Sequence, residues 1–434
     1  MMRIENIGLK PARILLLFGE DWDHAVLSNY TERGQYEFYC EGFDLFSFPS
    51  NARLMWFNVW RFVDQMVARY KGRIDGVFSS NEQFGAICAS LVAQRLGLPG
   101  QLPEAILRAQ HKYEARKVVH AVAPELCPEF DVIPYTVTAG QAAQLKYPLF
   151  VKPVKATFSV LAKRCDTPQE LIEHLTFRVW EKHIIKRLIE PMDQAFKRFP
   201  EFKVGARNLV IESPMSGHQV NVDGFVTDGQ VHLLGIVDEV MYPGTMSFMR
   251  FDYPSQLPPN IQEQIRVASE VVIKSFGLDD GLFNLEFFYD KTSGSLKLIE
   301  INPRLAAQLA RFYEWVDGVD VYQLGFDMSL PSFCLQSQVK NETPYGAATS
   351  FVWRSFDGTS CPRLPTDEDW QWLKENYPQA RLEVYAKSGG SLQRDMKWLQ
   401  SHRWALLNIP GNDLNQTRKH YEAIAQRLQW PAPY

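Results

Sequence analysis

The sequence predicts a chain that is α/β in its first hundred residues and α+β afterwards, and three observations carry that prediction. Short apolar runs at residues 12–18, 45–48 and 74–78 alternate with helical patterns at 54–70 and 83–96, the rhythm of a small parallel sheet covered by helices. Gly97-Leu98-Pro99-Gly100 then stops the last of these helices and opens a connection. Beyond it strands and helices no longer alternate regularly, and the final hundred residues hold six of the eleven tryptophans, Trp353, Trp370, Trp372, Trp398, Trp404 and Trp430, a density that points to a small aromatic core of its own. The division drawn from these signals is 1–102, 103–330 and 331–434.

Each element has a local reason. The run at 12–18 is rich in Ile and Leu and ends at Gly19-Glu20-Asp21, as a buried strand entering a loop does. Pro103 is placed to open a helix whose pattern runs from Ala105 to Val119, and Lys112 and Arg116 lie four apart on one of its faces. Near the end, residues 406–409 read as a strand and 415–428 as a helix begun after Gly411-Asn412-Asp413. At roughly 150 residues per domain, 434 residues suggest about three domains.

Composition excludes several classes. With 46% hydrophobic and 22% charged residues the chain is globular, and 46 basic against 50 acidic residues leave a net charge of −4, too balanced for a protein devoted to nucleic acid or an anionic membrane surface. No apolar run approaches a membrane span or a signal h-region, so a cytoplasmic protein is expected. The six cysteines form no C-x-x-C pair, so neither a zinc site nor a disulfide framework is expected.

The densest chemical signal is Leu298-Ile299-Glu300-Ile301-Asn302-Pro303-Arg304. A strand's two-residue period places Glu300, Asn302 and Arg304 on one face and Ile299 and Ile301 on the other. Phe283-Asn284-Leu285-Glu286-Phe287 alternates in the same way, and Asp290-Lys291-Thr292-Ser293-Gly294 has turn composition, so a hairpin symmetric about residue 293 sets Glu286 opposite Glu300. Two carboxylates and an amide oxygen on one face repel one another unless a cation lies between them. A hard divalent ion, magnesium or alternatively manganese, suits such an oxygen set, with Glu286, Glu300 and Asn302 as ligands.

Glu-x-Asn-Pro-Arg preceded by Phe-Asn-x-Glu resembles the metal-binding signature of the ATP-grasp superfamily, its carboxylate-amine ligases in particular. The resemblance is good from about residue 103 to 330 and moderate before that. It implies a pre-ATP-grasp-like domain over 1–102, a two-subdomain ATP-grasp fold over 103–330 and a small α+β cap over 331–434. It also implies ATP as cosubstrate. Tyr147-Pro148-Leu149-Phe150-Val151-Lys152-Pro153 resembles the strand that delivers a lysine to the nucleotide phosphates, and Lys112 resembles the helix lysine near the nucleotide. The segment 154–160 stands where the family has a glycine-rich loop but contains no glycine, which leaves phosphate contacts to side chains such as Lys155, Thr157 and Ser159. Val210-Ile211-Glu212-Ser213-Pro214-Met215 resembles the hinge strand against which adenine packs, so Glu212, the Ser213 carbonyl and the Met215 N–H are expected at the nucleotide, with Gln219 in the place of the ribose-binding acid.

The activity implied is transfer of the γ-phosphoryl group of ATP to a small carboxylate, giving an acyl phosphate that an amine attacks. Lys152 and Arg304 would stabilise charge in that transfer, and Arg304 and Arg250 would hold the acid substrate, Arg250 from the aromatic segment 238–254 read as a pocket wall or lid. A kinase that stops at phosphorylation and a non-catalytic nucleotide-binding module stay open as alternatives, as does a homodimer. Partners are expected to be small molecules, with no nucleic acid and no membrane.

Overall fold

The computed structural model describes residues 10–45, 49–155, 161–335, 341–359, 361–385 and 389–433, the side chains of 390, 391 and 398 excepted. Its strands are, in chain order, β1 (Ala12–Leu17), β2 (Tyr36–Glu41), β3 (Gly76–Phe78), β4 (Phe130–Pro134), β5 (Leu149–Pro153), β6 (Lys163–Cys165), β7 (Asn208–Glu212), β8 (His218–Thr227), β9 (Gln230–Met241), β10 (Phe248–Tyr253), β11 (Gly281–Asp290), β12 (Ser295–Asn302), β13 (Ala347–Ser355), β14 (Arg381–Val384) and β15 (His402–Gly411). They form three sheets: β2-β1-β3, β4-β7-β5-β6, and an eight-stranded sheet in the order β12-β11-β8-β9-β10-β13-β15-β14. The first sheet is parallel and the other two are antiparallel, so the mixed α/β and α+β class is the observed one.

Within the first sheet the expected β1 and β3 are present, and the second strand is not where the apolar run suggested. It is Tyr36–Glu41, paired with β1 from Ala12↔Tyr36 to Leu17↔Glu41, whereas Leu45 lies in a bend and 46–48 fall outside the described residues. As an edge strand β2 exposes Glu37 and Cys40 and carries Glu41 at its end, which hides it from a search for continuous apolar runs. The first helix is Asp21–Glu32, and the second, expected over 54–70, begins at Val59, not 54. Asn58 caps it, its side chain accepting from the Arg61 N–H at 2.9 Å, and a 3-10 turn, Ser50–Trp56, precedes it. The third, Gly85–Leu96, closes at Gly97 in the left-handed conformation, φ +69°.

The helical pattern at 105–119 is two helices, Pro103–Gln110 and Lys112–Val122, broken at His111. The His111 ring accepts from the Glu114 N–H at 3.2 Å, capping the second helix, and its other nitrogen meets the Val204 carbonyl at 2.7 Å. The break turns Lys112 and Arg116 inward, and both are buried.

The large sheet runs across the boundary drawn at residue 330. β13 pairs with β10 through Arg250↔Phe351 to Tyr253↔Ala348, and β15 and β14 follow it. The tryptophan-rich core exists, with Trp353, Trp404, Trp430, Leu373 and Tyr421 packed together, but it lies against strands of the sheet that carries the Glu286–Glu300 hairpin. A second core joins Ile14, Leu16, Tyr30 and Tyr36 of the first domain to Phe326, Val352 and Leu406. Among the described residues no helix is long and apolar enough to cross a membrane.

Candidate active site

The hairpin pairs Glu286 with Glu300 and Asn284 with Asn302, the register that symmetry about residue 293 requires. The turn end, however, pairs Phe287 with Leu298 and Asp290 with Ser295, one residue out of step, and Ile299 is left unpaired as a bulge. Leu298 and Ile301 therefore enter the core with Phe283, Leu285 and Phe287. Ile299 does not join them, contrary to simple alternation. Its carbonyl instead accepts from Arg116 Nη2 at 2.9 Å and Lys152 Nζ at 3.4 Å.

On the opposite face polar side chains run across four strands. Asn302 donates to Asn284 Oδ1 at 3.2 Å, Asn284 donates to Asn221 and, at 2.8 Å, to Asp223, and Asn221 donates to Glu239 Oε1 at 2.7 Å. The Tyr313 hydroxyl donates to the other Asp223 oxygen at 2.6 Å. On the same face Glu300 lies opposite Glu286 and Gln219 opposite Glu239, and Gln219 reaches diagonally to donate to Glu286 at 3.3 Å. Burial, with Glu239 and Glu300 nearby, pushes the Glu286 carboxyl well above its usual range, and burial brings Glu239 up to about 7 and Asp223 to about 6. Asn302 Oδ1 is buried without a partner. An all-oxygen donor set in which Glu286 has no ion-pair partner among the described residues, with an orphaned amide oxygen, fits a hard cation held by Glu286, Glu300 and Asn302.

Cations gather at the edge of this face. Lys112 pairs with Glu300 at 2.8 Å; burial alone would lower its pKa, but Glu300 and Glu82 outweigh that and raise it. Lys152 and Arg116 both bind Glu212, at 2.9 and 2.6 Å. Burial works against ionisation of Glu212, yet the two cations bring it down to about 2. Lys155 and Arg304 meet on Glu82, at 3.1 and 3.3 Å, and hold it near 2 in the same way. Glu212 is thus the buried anchor of Lys152.

Ser213, Pro214 and Met215 begin the connection from β7 to β8, that is, from the four-stranded to the eight-stranded sheet. Ser213 is tied to Glu129 through two hydrogen bonds, N–H to carbonyl at 2.9 Å and Glu129 N–H to Ser213 Oγ at 3.1 Å. Gln219 is buried. Ser159 lies outside the described residues. Arg250 does not join the site: residues 238–254 belong to the β9–β10 hairpin, where Phe251 pairs with Glu239 and Arg250 with Val240, so Arg250 points to the face away from the acids and pairs with Asp252 at 2.8 Å.

Residues 145–311 match the ATP-grasp domain family. They form an ATP-grasp domain. Similar proteins include the D-alanine–D-alanine ligase of Deinococcus radiodurans, 28% identical over 166 residues, which are 38% of this chain and 43% of that protein. The chain spans less than half the length of the curated relatives it matches. Among solved structures, an L-amino acid ligase from Bacillus licheniformis superposes with a TM-score of 0.68 at 15% identity, covering 96% of this chain and 98% of that one. An Aspergillus clavatus N5-carboxyaminoimidazole synthase in complex with ADP and its ribonucleotide superposes with a TM-score of 0.63 at 13% identity, covering 97% and 99%. At these identities the superpositions establish the fold over nearly the whole chain.

Several residues around the ATP-grasp domain's polar face were not singled out from sequence: Glu20, Asn81, Glu82, Asn221, Asp223 and Glu239. Glu20 and Glu82 follow the carboxyl ends of β1 and β3, where parallel sheets place ligand-binding residues, so the signal was topological. Asn81 links them, donating to Glu20 at 3.1 Å and accepting the N–H groups of Phe84 and Gly85 at 3.0 Å each, which caps the third helix. Burial and the neighbouring Asp23 lift Glu20 to about 7.

Proposed function

We propose that the chain is an ATP-dependent ligase that activates a small carboxylate as an acyl phosphate and joins it to an amine, releasing ADP and phosphate. One observation carries the reading: an oxygen-rich acidic face, Glu286, Glu300 and Asn302, stands beside five buried or half-buried cations, Lys112, Arg116, Lys152, Lys155 and Arg304. A nucleoside triphosphate with a divalent ion needs both charge signs at close quarters. The similarity to a D-alanine–D-alanine ligase and the fold shared with an L-amino acid ligase support the same class.

Magnesium held by Glu286, Glu300 and Asn302 would neutralise phosphate charge when bound. Lys152, fixed by Glu212 and the Ile299 carbonyl, is pre-placed to meet the phosphates without reorganisation. Arg304 follows Asn302 by two residues and is held by Glu82, an orientation suited to a planar carboxylate, which its guanidinium grips through two parallel N–H bonds. A carboxylate oxygen attacks the γ-phosphorus and the β–γ bridging oxygen leaves on ADP. The amine then attacks the acyl carbon, phosphate departs, and the nitrogen loses a proton.

The test is ADP release from Mg-ATP against pooled amino acids and small carboxylates, with hydroxylamine as acyl-phosphate trap. Release that depends on one pool, with hydroxamate formed, is the expected result, and Glu300→Gln is expected to abolish it while leaving the circular dichroism spectrum unchanged. Phosphorylated product without hydroxamate, in every pool, would replace the ligase by a kinase.

A further inference from the structure

We infer that the Glu239 carboxylate, with Phe251 beside it, binds the ammonium group of an amine-bearing substrate. The inference rests on the ligase reading and names the chemistry of one of its substrates.

Glu300 has a cation partner, and of the acids on the face that have none, Glu239, Glu286 and Asp223, only Glu239 also keeps a buried oxygen without a hydrogen bond. Lys112 is paired with Glu300, Lys152 and Arg116 with Glu212, and Lys155 and Arg304 with Glu82. Glu239 is 4% exposed; its Oε1 accepts from Asn221 at 2.7 Å, the Gln219 amide opposite it also favours its ionised form, and its Oε2 is buried without a hydrogen bond of good geometry. A buried carboxylate oxygen in that state lacks a donor, and the donor of greatest benefit is a cationic one.

A metal ion is the wrong donor there. Among the described residues no three acid, histidine or cysteine groups converge on one point, so an ion between Glu286 and Glu300 leaves Glu239 outside its ligands. The wall next to Glu239 is aromatic as well. Phe251 sits directly across on β10, and its ring packs 5.1 Å from that of Phe248. An aromatic face attracts an organic ammonium and offers nothing to an ion that demands oxygen ligands.

Along the same row, Phe251 pairs with Ser350 and Ser350 with Asn408, whose Oδ1 is likewise buried without a partner. The Glu239 and Asn408 orphans of this row are both acceptors. What the face lacks is N–H donors, which an ammonium supplies three at a time.

The experiment is thermal shift at constant ionic strength on the wild type, Glu239→Gln and Glu286→Gln, with ethylammonium and butylammonium chloride, the matching alcohols, and Mg2+ alone as separate probes. Alkylammonium is expected to raise the wild-type midpoint where the alcohol does not. Its apparent affinity is expected to fall at least about tenfold in Glu239→Gln while the Mg2+ shift is kept, and Glu286→Gln is expected to lose the Mg2+ shift. No alkylammonium shift in the wild type, equal shifts in wild type and Glu239→Gln, or loss of the Mg2+ response in Glu239→Gln would each overturn the inference. If Glu239→Gln does not fold, Phe251→Leu carries the test, with loss of the alkylammonium response expected and an unchanged response contrary to it. Failure of the ligase reading shows separately, as absence of hydroxamate with the wild type.

Discussion

Glu212 holds two buried cations on one carboxylate, and its behaviour follows from that. With its folded pKa near 2 against an ordinary 4.5, its contribution to stability is fully present above about 4.5 and is lost as pH falls toward 2. Glu212→Gln leaves Lys152 and Arg116 buried beside a neutral group, and a loss of about 3–5 kcal/mol in urea unfolding at pH 7 is expected. The acid limb of the stability curve should flatten in the same variant. Arg250 makes the opposite case. It sits on the far face of the sheet with Asp252, so Arg250→Ala is expected to leave the Michaelis constants for both ATP and the acid within about twofold of wild type. A selective rise for the acid would return Arg250 to the pocket.

The β11–β12 hairpin settles a conflict between two registers. The four residues between Asp290 and Ser295 fix the pairing at the turn, Glu286 opposite Glu300 fixes it at the site, and the two differ by one residue, which Ile299 absorbs. The bulge also frees the Ile299 carbonyl to bind Arg116 and Lys152. Leu298, 1% exposed, is therefore the core residue. Leu298→Ala is expected to cost about 2–5 kcal/mol and Ile299→Ala about 1 kcal/mol by urea unfolding, whereas simple alternation would reverse the order.

Over the whole molecule, segments far apart in sequence share sheets and cores. β13 covers the edge of β10, and the Tyr30 hydroxyl of the first domain donates to Asp320 at 2.6 Å. A chain ended at Glu342 would expose the β10 edge and remove the tryptophan core, and it is expected to aggregate on expression, with no monomer peak on size exclusion. Recovery of a folded monomer that binds Mg-ATP would make 331–434 an independent cap.

The hairpin, the Lys152 strand and the helix carrying Lys112 and Arg116 were legible from residue order, because a strand's period of two, a turn's composition and a helix's i, i+4 spacing are local properties. The cores' aromatic content was legible for the same reason. Partners drawn from distant segments were not. Arg304 meets Glu82 across 222 residues and Lys155 meets it across 73, distances over which no periodicity extends. The face taken by Arg250, the bulge at Ile299 and the joining of β13 to β10 were equally closed to local reading, since each depends on which strand lies alongside. Local order thus determined which residues are candidates for chemistry, and the packing of three sheets decided which of them meet, because charge pairing and strand register are settled only when separate elements are brought into contact.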